Sequence, residues 1–140
     1  MRESFFLDTN IFLYSIDRTE PRKAEVAGDL LRRGIETGKG VISYQVVQEF
    51  LNVALKGFVS PMSPAEAQHY LAMTFGPIFT VHSSPALYGE ALRIHSAYRF
   101  AWYDSLIVAA ALQARCGTLY TEDLSHGQRV GNLRIVNPFL

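Results

Sequence analysis

Four acidic residues, far apart in the sequence, are the clearest candidates for chemistry. Asp8, Asp104 and Asp123 lie where a short apolar run ends and a helix or loop begins, in a chain with five aspartates in all. Glu49 lies in a helix that opens just after another such run. In open α/β sheets, ligands bind outside the carboxyl ends of the strands, so these carboxylates can converge there. The pattern predicts a divalent-metal site.

The chemistry of such a cluster follows from its ligand atoms. Carboxylates are hard oxygen ligands, and no pattern of histidines or cysteines that would favour zinc accompanies them. Mg²⁺ or Mn²⁺ is therefore the expected cofactor. Magnesium usually takes a few carboxylates and keeps several waters, which leaves coordination positions for a phosphate oxygen and an attacking water. We expect a site for phosphodiester hydrolysis.

Each acid also has a purely structural interpretation. Asp104 is placed to cap a helix, Asp123 to form a turn, and Glu49 to lie on a solvated helix face. Asp8 is harder to explain in this way, because a charge at the end of an apolar strand is costly unless it is paired or coordinated. The four together are more specific than any one of them.

Apolar segments of strand length and helix length alternate along the chain. This alternation predicts a single three-layer α/β/α domain, residues 1–140, with a five-stranded parallel sheet between helices. The predicted strands are 4–7, 41–43, 77–82, 118–121 and 133–136. The predicted helices are 9–16, one that Pro21 opens and Gly38 ends, 44–55, one from Ser63 to about Phe75, one from Ser84 to about Tyr98, and one that Asp104 opens and Gly117 ends.

Bulk properties exclude several classes of protein. The 140 residues are 49% hydrophobic and 19% charged, which is typical of a globular domain, and a net charge of zero argues against a coat for long nucleic acids. Cys116 is the only cysteine and is expected to be a buried helix residue, which favours a cytoplasmic protein. Asp8 and Asn10 interrupt the first apolar stretch, so we expect neither a membrane span nor a cleaved leader.

Other acid-dependent α/β folds fit the sequence less well. Asn10 stands where a haloacid-dehalogenase-type phosphatase has its second aspartate, and no lysine follows the fifth strand as a receiver domain requires. No glycine-rich phosphate-binding string is present.

The sequence resembles the PIN-domain nucleases. The resemblance lies in FLDTNI (residues 6–11), QEF (48–50), YDSLIVAAA (103–111) and LYTEDL (119–124), which match in order and spacing over essentially the whole chain. A domain of this length is most similar to the VapC-like toxins of toxin–antitoxin pairs. The resemblance implies Mg²⁺- or Mn²⁺-dependent RNA cleavage, a homodimer and a small antitoxin partner. It also implies that Asp8, Glu49, Asp104 and Asp123 are the catalytic and metal-binding acids, supported by Thr9 and Asn10.

Substrate contacts are predicted from charge and aromaticity. Arg18, Arg22 and Arg99 belong to two basic regions that can hold phosphates, and the alternative is an ordinary solvated surface. Trp102 and Tyr103 precede Asp104 and can stack on unpaired bases, or else pack at the helix start.

The most specific hypothesis is a toxin endoribonuclease, and the alternatives are a housekeeping RNA-processing nuclease or a catalytically silent binding module. Apolar residues on two helices, namely Phe12, Tyr14 and Phe50, predict that an antitoxin helix docks beside the cleft. Whether Glu122 or Asp123 faces the metal is left open by the sequence.

Overall fold

The computed structural model describes residues 3–57 and 60–140. Over these residues the strands are β1 (Phe5–Leu7), β2 (Gly40–Ser43), β3 (Phe79–Val81), β4 (Thr118–Tyr120), β5 (Arg129–Val130) and β6 (Leu133–Val136). The helices are α1 (Thr9–Ile16), α2 (Pro21–Thr37), α3 (Tyr44–Lys56), α4 (Pro64–Tyr70), α5 (Pro85–Tyr98) and α6 (Trp102–Gln113). The predicted α/β architecture is confirmed.

The strands form one sheet, in the order β3-β2-β1-β4-β6-β5. All five predicted strands are present and pair in parallel. The prediction of five strands is wrong by one, because within the described ranges β5 adds a sixth that runs antiparallel to β6. A two-residue strand is too short to show an apolar alternation in the sequence.

β1 lies in the interior of the sheet, between β2 and β4. Its three residues are buried because neighbours cover both edges and helices cover both faces. The chain then leaves the sheet at Asp8, whose backbone N–H donates to the carbonyl of Tyr120 at 3.1 Å. The carboxyl ends of β1 and β4 are therefore side by side.

Helix α6 packs closely on the sheet because its side chains are small. Residues 105–111 are all buried, including a run of three alanines at 109–111. On the other side, α2 meets β2 backbone to backbone, since a Cβ on Gly40 would lie 2.7 Å from Cα of Gly34. A larger residue at either glycine would force these two elements apart.

Two element boundaries differ from the prediction. A π-helical turn, Leu71–Phe75, continues α4, and a 3₁₀ turn, Gly76–Ile78, follows it, so the third strand begins at Phe79 instead of at residue 77. Helix α6 begins at Trp102 with Ala101 as its N-cap. Asp104 is therefore in the first turn of α6 and does not cap it.

Two other expectations concern Cys116 and membrane-spanning helices. Cys116 is buried as predicted, but it lies just after α6 and not inside a helix. In the part of the chain that the structure describes, no helix has the length and apolar character needed to cross a membrane.

Candidate active site

Asp8 is held rigidly at the junction of β1 and α1. It is the N-cap of α1, and its Oδ1 accepts a hydrogen bond from the backbone N–H of Thr9 at 2.7 Å. Its Oδ2 accepts one from the Thr121 hydroxyl, also at 2.7 Å. The residue is only 5% exposed. Both carboxylate oxygens are thus oriented by neighbours.

Burial makes this carboxyl difficult to ionise. It raises the pKa of Asp8 from 3.8 to about 7. The hydrogen bonds from Thr121 and Thr9 lower the pKa, while the nearby charges of Asp123 and Glu49 raise it further. A positive charge placed beside Asp8 would therefore stabilise its ionised form.

Glu49 points back toward the same junction. Its Oε1 accepts a hydrogen bond from the Thr9 hydroxyl at 2.8 Å. Because Thr9 follows Asp8 directly, this bond joins α3 to the start of α1. Glu49 is therefore not an ordinary residue of a solvated helix face.

Asp104 approaches the cluster from α6. Partial burial raises its pKa, and the charges of Asp123 and Glu49 raise it further. Its position in the first turn of α6 places the carboxylate near the positive end of the helix dipole. These charges couple Asp104 electrostatically to Asp123 and Glu49.

The structure separates the roles of Glu122 and Asp123. Asp123 accepts a hydrogen bond from the amide of Asn10 at 3.2 Å, and partial burial followed by the charge of Glu122 raises its pKa. Glu122 instead accepts hydrogen bonds from Lys23 and Tyr14, both at 2.7 Å. Partial burial raises the pKa of Glu122, but these hydrogen bonds outweigh it and the net shift is downward. Asp123 is the member of the pair that joins the other acids.

Two supporting residues are not apparent from the sequence alone. Thr121 is fully buried and binds Asp8, and its hydroxyl also accepts from the backbone N–H of Asp123 at 3.1 Å. Gln45 is buried one helical turn before Glu49. The only sequence signals are the spacing of Thr121 two residues before Asp123 and the i, i+4 spacing of Gln45 and Glu49.

Several buried polar atoms at this edge of the sheet have no hydrogen-bond partner among the described residues. They are Asn10 Oδ1, Ser43 Oγ and Gln45 Oε1. Buried polar groups without partners are rare in folded proteins and call for an explanation such as a water or an ion. Here all three belong to segments that carry the acids.

The donor set fits a hydrated divalent cation. All four acids provide hard oxygen atoms, and burial followed by neighbouring carboxylates raises the pKa of Asp8, Asp104 and Asp123. Among residues 3–57 and 60–140, however, no three acidic, histidine or cysteine side chains form a group that could surround one ion directly. A cation that keeps most of its waters needs only one or two carboxylates in direct contact, which this arrangement offers.

The predicted substrate residues lie in different environments. Arg22 donates to the carbonyl of Phe139 at 2.8 Å, which ties it to the end of the chain. Arg18 and Arg99 are exposed. Trp102 is half-buried and packs edge-on against His95, whereas Tyr103 is 65% exposed. Of the two aromatic residues, Tyr103 is the one with a ring accessible to a base.

The predicted antitoxin surface is wrong in its key residues. Phe12 and Phe50 are completely buried. The reason is that Phe75, from the π-helical turn, packs on both rings, with centroids 5.0 Å and 5.2 Å away. Tyr14 is half-buried and engaged with Glu122 and Lys23.

Comparison with known proteins gives one family and several structural relatives. The PIN domain family model matches residues 5–129. No curated protein matches the chain in sequence. Solved structures share its fold at 18–19% sequence identity.

A toxin–antitoxin complex from Klebsiella pneumoniae has a TM-score of 0.66 and 19% identity, covering 96% of this chain and 98% of that one. VapBC2 from Rickettsia felis, bound to a DNA fragment from their promoter, has a TM-score of 0.67 and 18% identity, with 94% and 96% covered. FitAcB from Neisseria gonorrhoeae has a TM-score of 0.62 and 19% identity, with 96% and 98% covered.

Proposed function

We propose that this chain, which belongs to the PIN domain family, is an endoribonuclease that depends on Mg²⁺ or Mn²⁺. One observation carries the proposal. Asp8 is almost fully buried, both of its oxygens are oriented, and burial raises its pKa to about 7. A purely structural carboxylate at this position would destabilise the fold, whereas a cation ligand gains from the same environment.

Each acid has a role in the proposed reaction. Asp8 and Asp104 would hold the cation, and Glu49 and Asp123 would complete the negative charge, directly or through bound waters. Bound there, Mg²⁺ or Mn²⁺ would supply Lewis-acid chemistry, offsetting charge on the scissile phosphate and lowering the pKa of the attacking water. Glu49 and Asp123 would share the general-base role, accepting the one proton that this water loses as its oxygen bonds to phosphorus. The P–O bond to the leaving ribose oxygen breaks in the same reaction, and that oxygen takes a proton from solvent.

The supporting residues keep the acids in place during this reaction. Thr9 links Asp8 to Glu49, and Asn10 links α1 to Asp123. These contacts fix carboxylates from separate elements relative to one another, so little reorganisation is needed when a phosphate arrives.

We also propose that the chain is the toxin of a toxin–antitoxin pair and that it forms a homodimer. The toxin role is supported by two structural relatives that are described as a toxin–antitoxin complex and as VapBC2. A partner that places an arginine or lysine beside Asp8 and Asp104 would replace the charge of the cation and block the site. Its docking surface does not include the buried Phe12 and Phe50.

The experiment for the catalytic proposal uses purified protein and a long single-stranded RNA. Cleavage is expected with Mg²⁺ or Mn²⁺ and is expected to stop with EDTA or in Asp8→Asn, which keeps the size of the side chain and loses its charge. If folded Asp8→Asn cleaves at the parental rate, the site is assigned wrongly.

The experiment for the toxin proposal is expression in cells. The chain alone should arrest growth, and co-expression with the product of the adjacent gene should restore growth and yield a complex without ribonuclease activity. A harmless chain that forms no such complex, yet cleaves RNA, would favour the housekeeping nuclease.

A further inference from the structure

Gln45 is buried beside the acids, and only the NH₂ group of its side-chain amide has a hydrogen-bond partner among the described residues. The residue is 4% exposed. Its Nε2 donates to the carbonyl oxygen of Tyr103 at 3.1 Å. Its Oε1 has no hydrogen-bond partner in the described part of the chain. Since a buried polar atom is costly without a partner, this oxygen points to a partner that the protein chain does not supply.

The orientation of the amide follows from its chemistry. Oxygen and nitrogen of a glutamine are assigned from their hydrogen bonds. The carbonyl of Tyr103 can only accept, so the NH₂ end must face it. The end without a partner is therefore the oxygen, an acceptor that requires a donor.

The position of this acceptor relates it to two of the acids. Nε2 lies 3.5 Å from Oε1 of Glu49, the residue one helical turn later in α3. The contact with Tyr103 joins α3 to the residue that precedes Asp104. The amide oxygen shares a carbon with Nε2, so it is buried close to these two contacts.

We propose that Gln45 is a positioning residue whose Oε1 accepts a hydrogen bond from the water around the bound cation, while its Nε2 keeps α3 and α6 together. This inference rests on the proposed metal-dependent function. Mg²⁺ and Mn²⁺ held by few carboxylates keep waters that need acceptors. An amide oxygen provides one without adding a fifth negative charge to acids that already repel one another.

The test is the affinity for Mn²⁺, measured by calorimetry on protein stripped with EDTA, without RNA. Gln45→Met keeps the length of the side chain and removes the acceptor. Loss of such an outer contact typically weakens metal binding by about 10-fold or more, which is the expected result. Gln45→Glu also loses the donor to Tyr103 but keeps an acceptor oxygen, so it should bind Mn²⁺ more tightly than Gln45→Met.

Gln48 provides the matched control, since it is the same residue type on the same helix but exposed. Gln48→Met should leave the affinity unchanged. If Gln45→Met does not fold, Gln45→Asn replaces it, because the shorter side chain withdraws the oxygen and should also weaken binding.

Two results would overturn the inference: parental affinity in a folded Gln45→Met or Gln45→Asn, or equal losses in Gln45→Met and Gln45→Glu, which would mean that the residue only holds the helices. Failure of the proposed function looks different, since the parent itself would then bind no Mn²⁺ and cleave no RNA.

Discussion

The hydroxyl of Thr121 donates a hydrogen bond of 2.7 Å to Asp8, and so joins the residue after β4 to the residue after β1. The same hydroxyl oxygen accepts from the backbone N–H of Asp123 at 3.1 Å. One buried threonine therefore fixes two acids that are more than a hundred residues apart in the sequence. Its bond to Asp8 also lowers the pKa of that carboxyl against the effect of burial.

Thr121→Val should therefore move the pH dependence of cleavage. Valine keeps the shape of threonine and removes the donor, so the pKa of Asp8 should rise further. A hydrogen bond to a charged group contributes about 1.5 kcal/mol or more, which corresponds to a shift of roughly one pH unit. We expect the acid limb of the pH–rate profile to move to higher pH by that amount.

The control for this change is Thr118→Val, at the start of β4 and half-buried. Its profile should match that of the parent. An unchanged acid limb in folded Thr121→Val would show that the bond to Asp8 does not control its ionisation during cleavage.

The sequence was sufficient to predict the main strands, and it singled out the acids as candidates, for local reasons. Each predicted strand is a short apolar run, and Asp8 follows the first of them. Such patterns depend only on neighbouring residues. The pairing of Thr121 with Asp8 and of Gln45 with Tyr103 depends on which strands and helices become neighbours, and nothing local encodes it.

The exposed surface was predicted less well for a similar reason. The helices that carry Phe12 and Phe50 have apolar residues on more than one face, so the sequence predicted an exposed apolar surface for a partner. In the fold, Phe75 and Tyr70 cover them, with Tyr70 stacked on Phe50 at 4.6 Å. The covering residues belong to α4 and the π-helical turn after it, whose packing the sequence pattern does not indicate.

Asp8 should make the stability of the metal-free protein depend on pH. Its folded-state pKa, about 7, lies above the ordinary 3.8, so the folded state holds the proton more tightly. This contribution is fully present below pH 3.8 and is lost as the pH rises through 7. The shift from 3.8 to about 7 corresponds to a loss on the order of 4 kcal/mol in the free energy of unfolding.

Urea unfolding in EDTA at several pH values measures this effect. Asp8→Asn cannot ionise, so its free energy of unfolding should fall less than that of the parent between pH 4 and about 8. At the higher pH, saturating Mn²⁺ should reduce the difference between the parent and Asp8→Asn in the loss of free energy of unfolding, because it stabilises the ionised Asp8 of the parent. Parallel curves for parent and variant in EDTA would contradict the raised pKa.

Loss of charge should affect the cleavage rate at Asp123 and leave it almost unchanged at the adjacent Glu122. Asp123→Asn should lower the cleavage rate by about 100-fold or more, since a general base typically contributes that much. Glu122→Gln weakens a partly exposed ion pair with Lys23 and should leave the cleavage rate within about twofold. Equal losses of cleavage rate in the two variants would mean that Glu122 also takes part in catalysis.

The last prediction separates Tyr103 from Trp102. Tyr103 is 65% exposed beside Asp104, so its ring is available to stack on an unpaired base. Trp102 is half-buried against His95 and contributes to packing. Tyr103→Ala should raise KM for single-stranded RNA by roughly 10-fold, in keeping with a stacking contribution of about 1–3 kcal/mol per base. Trp102→Ala should instead lower the melting temperature.

Tyr103→Phe is the matched variant for this test, because it keeps the ring and removes only the hydroxyl. If the ring stacks on RNA, this variant should have the KM of the parent, and kcat should change little in either Tyr103 variant. A parental KM in Tyr103→Ala, measured on RNA at constant salt with the melting temperature unchanged, would exclude the stacking role. A parental melting temperature in Trp102→Ala would likewise exclude the packing role of Trp102.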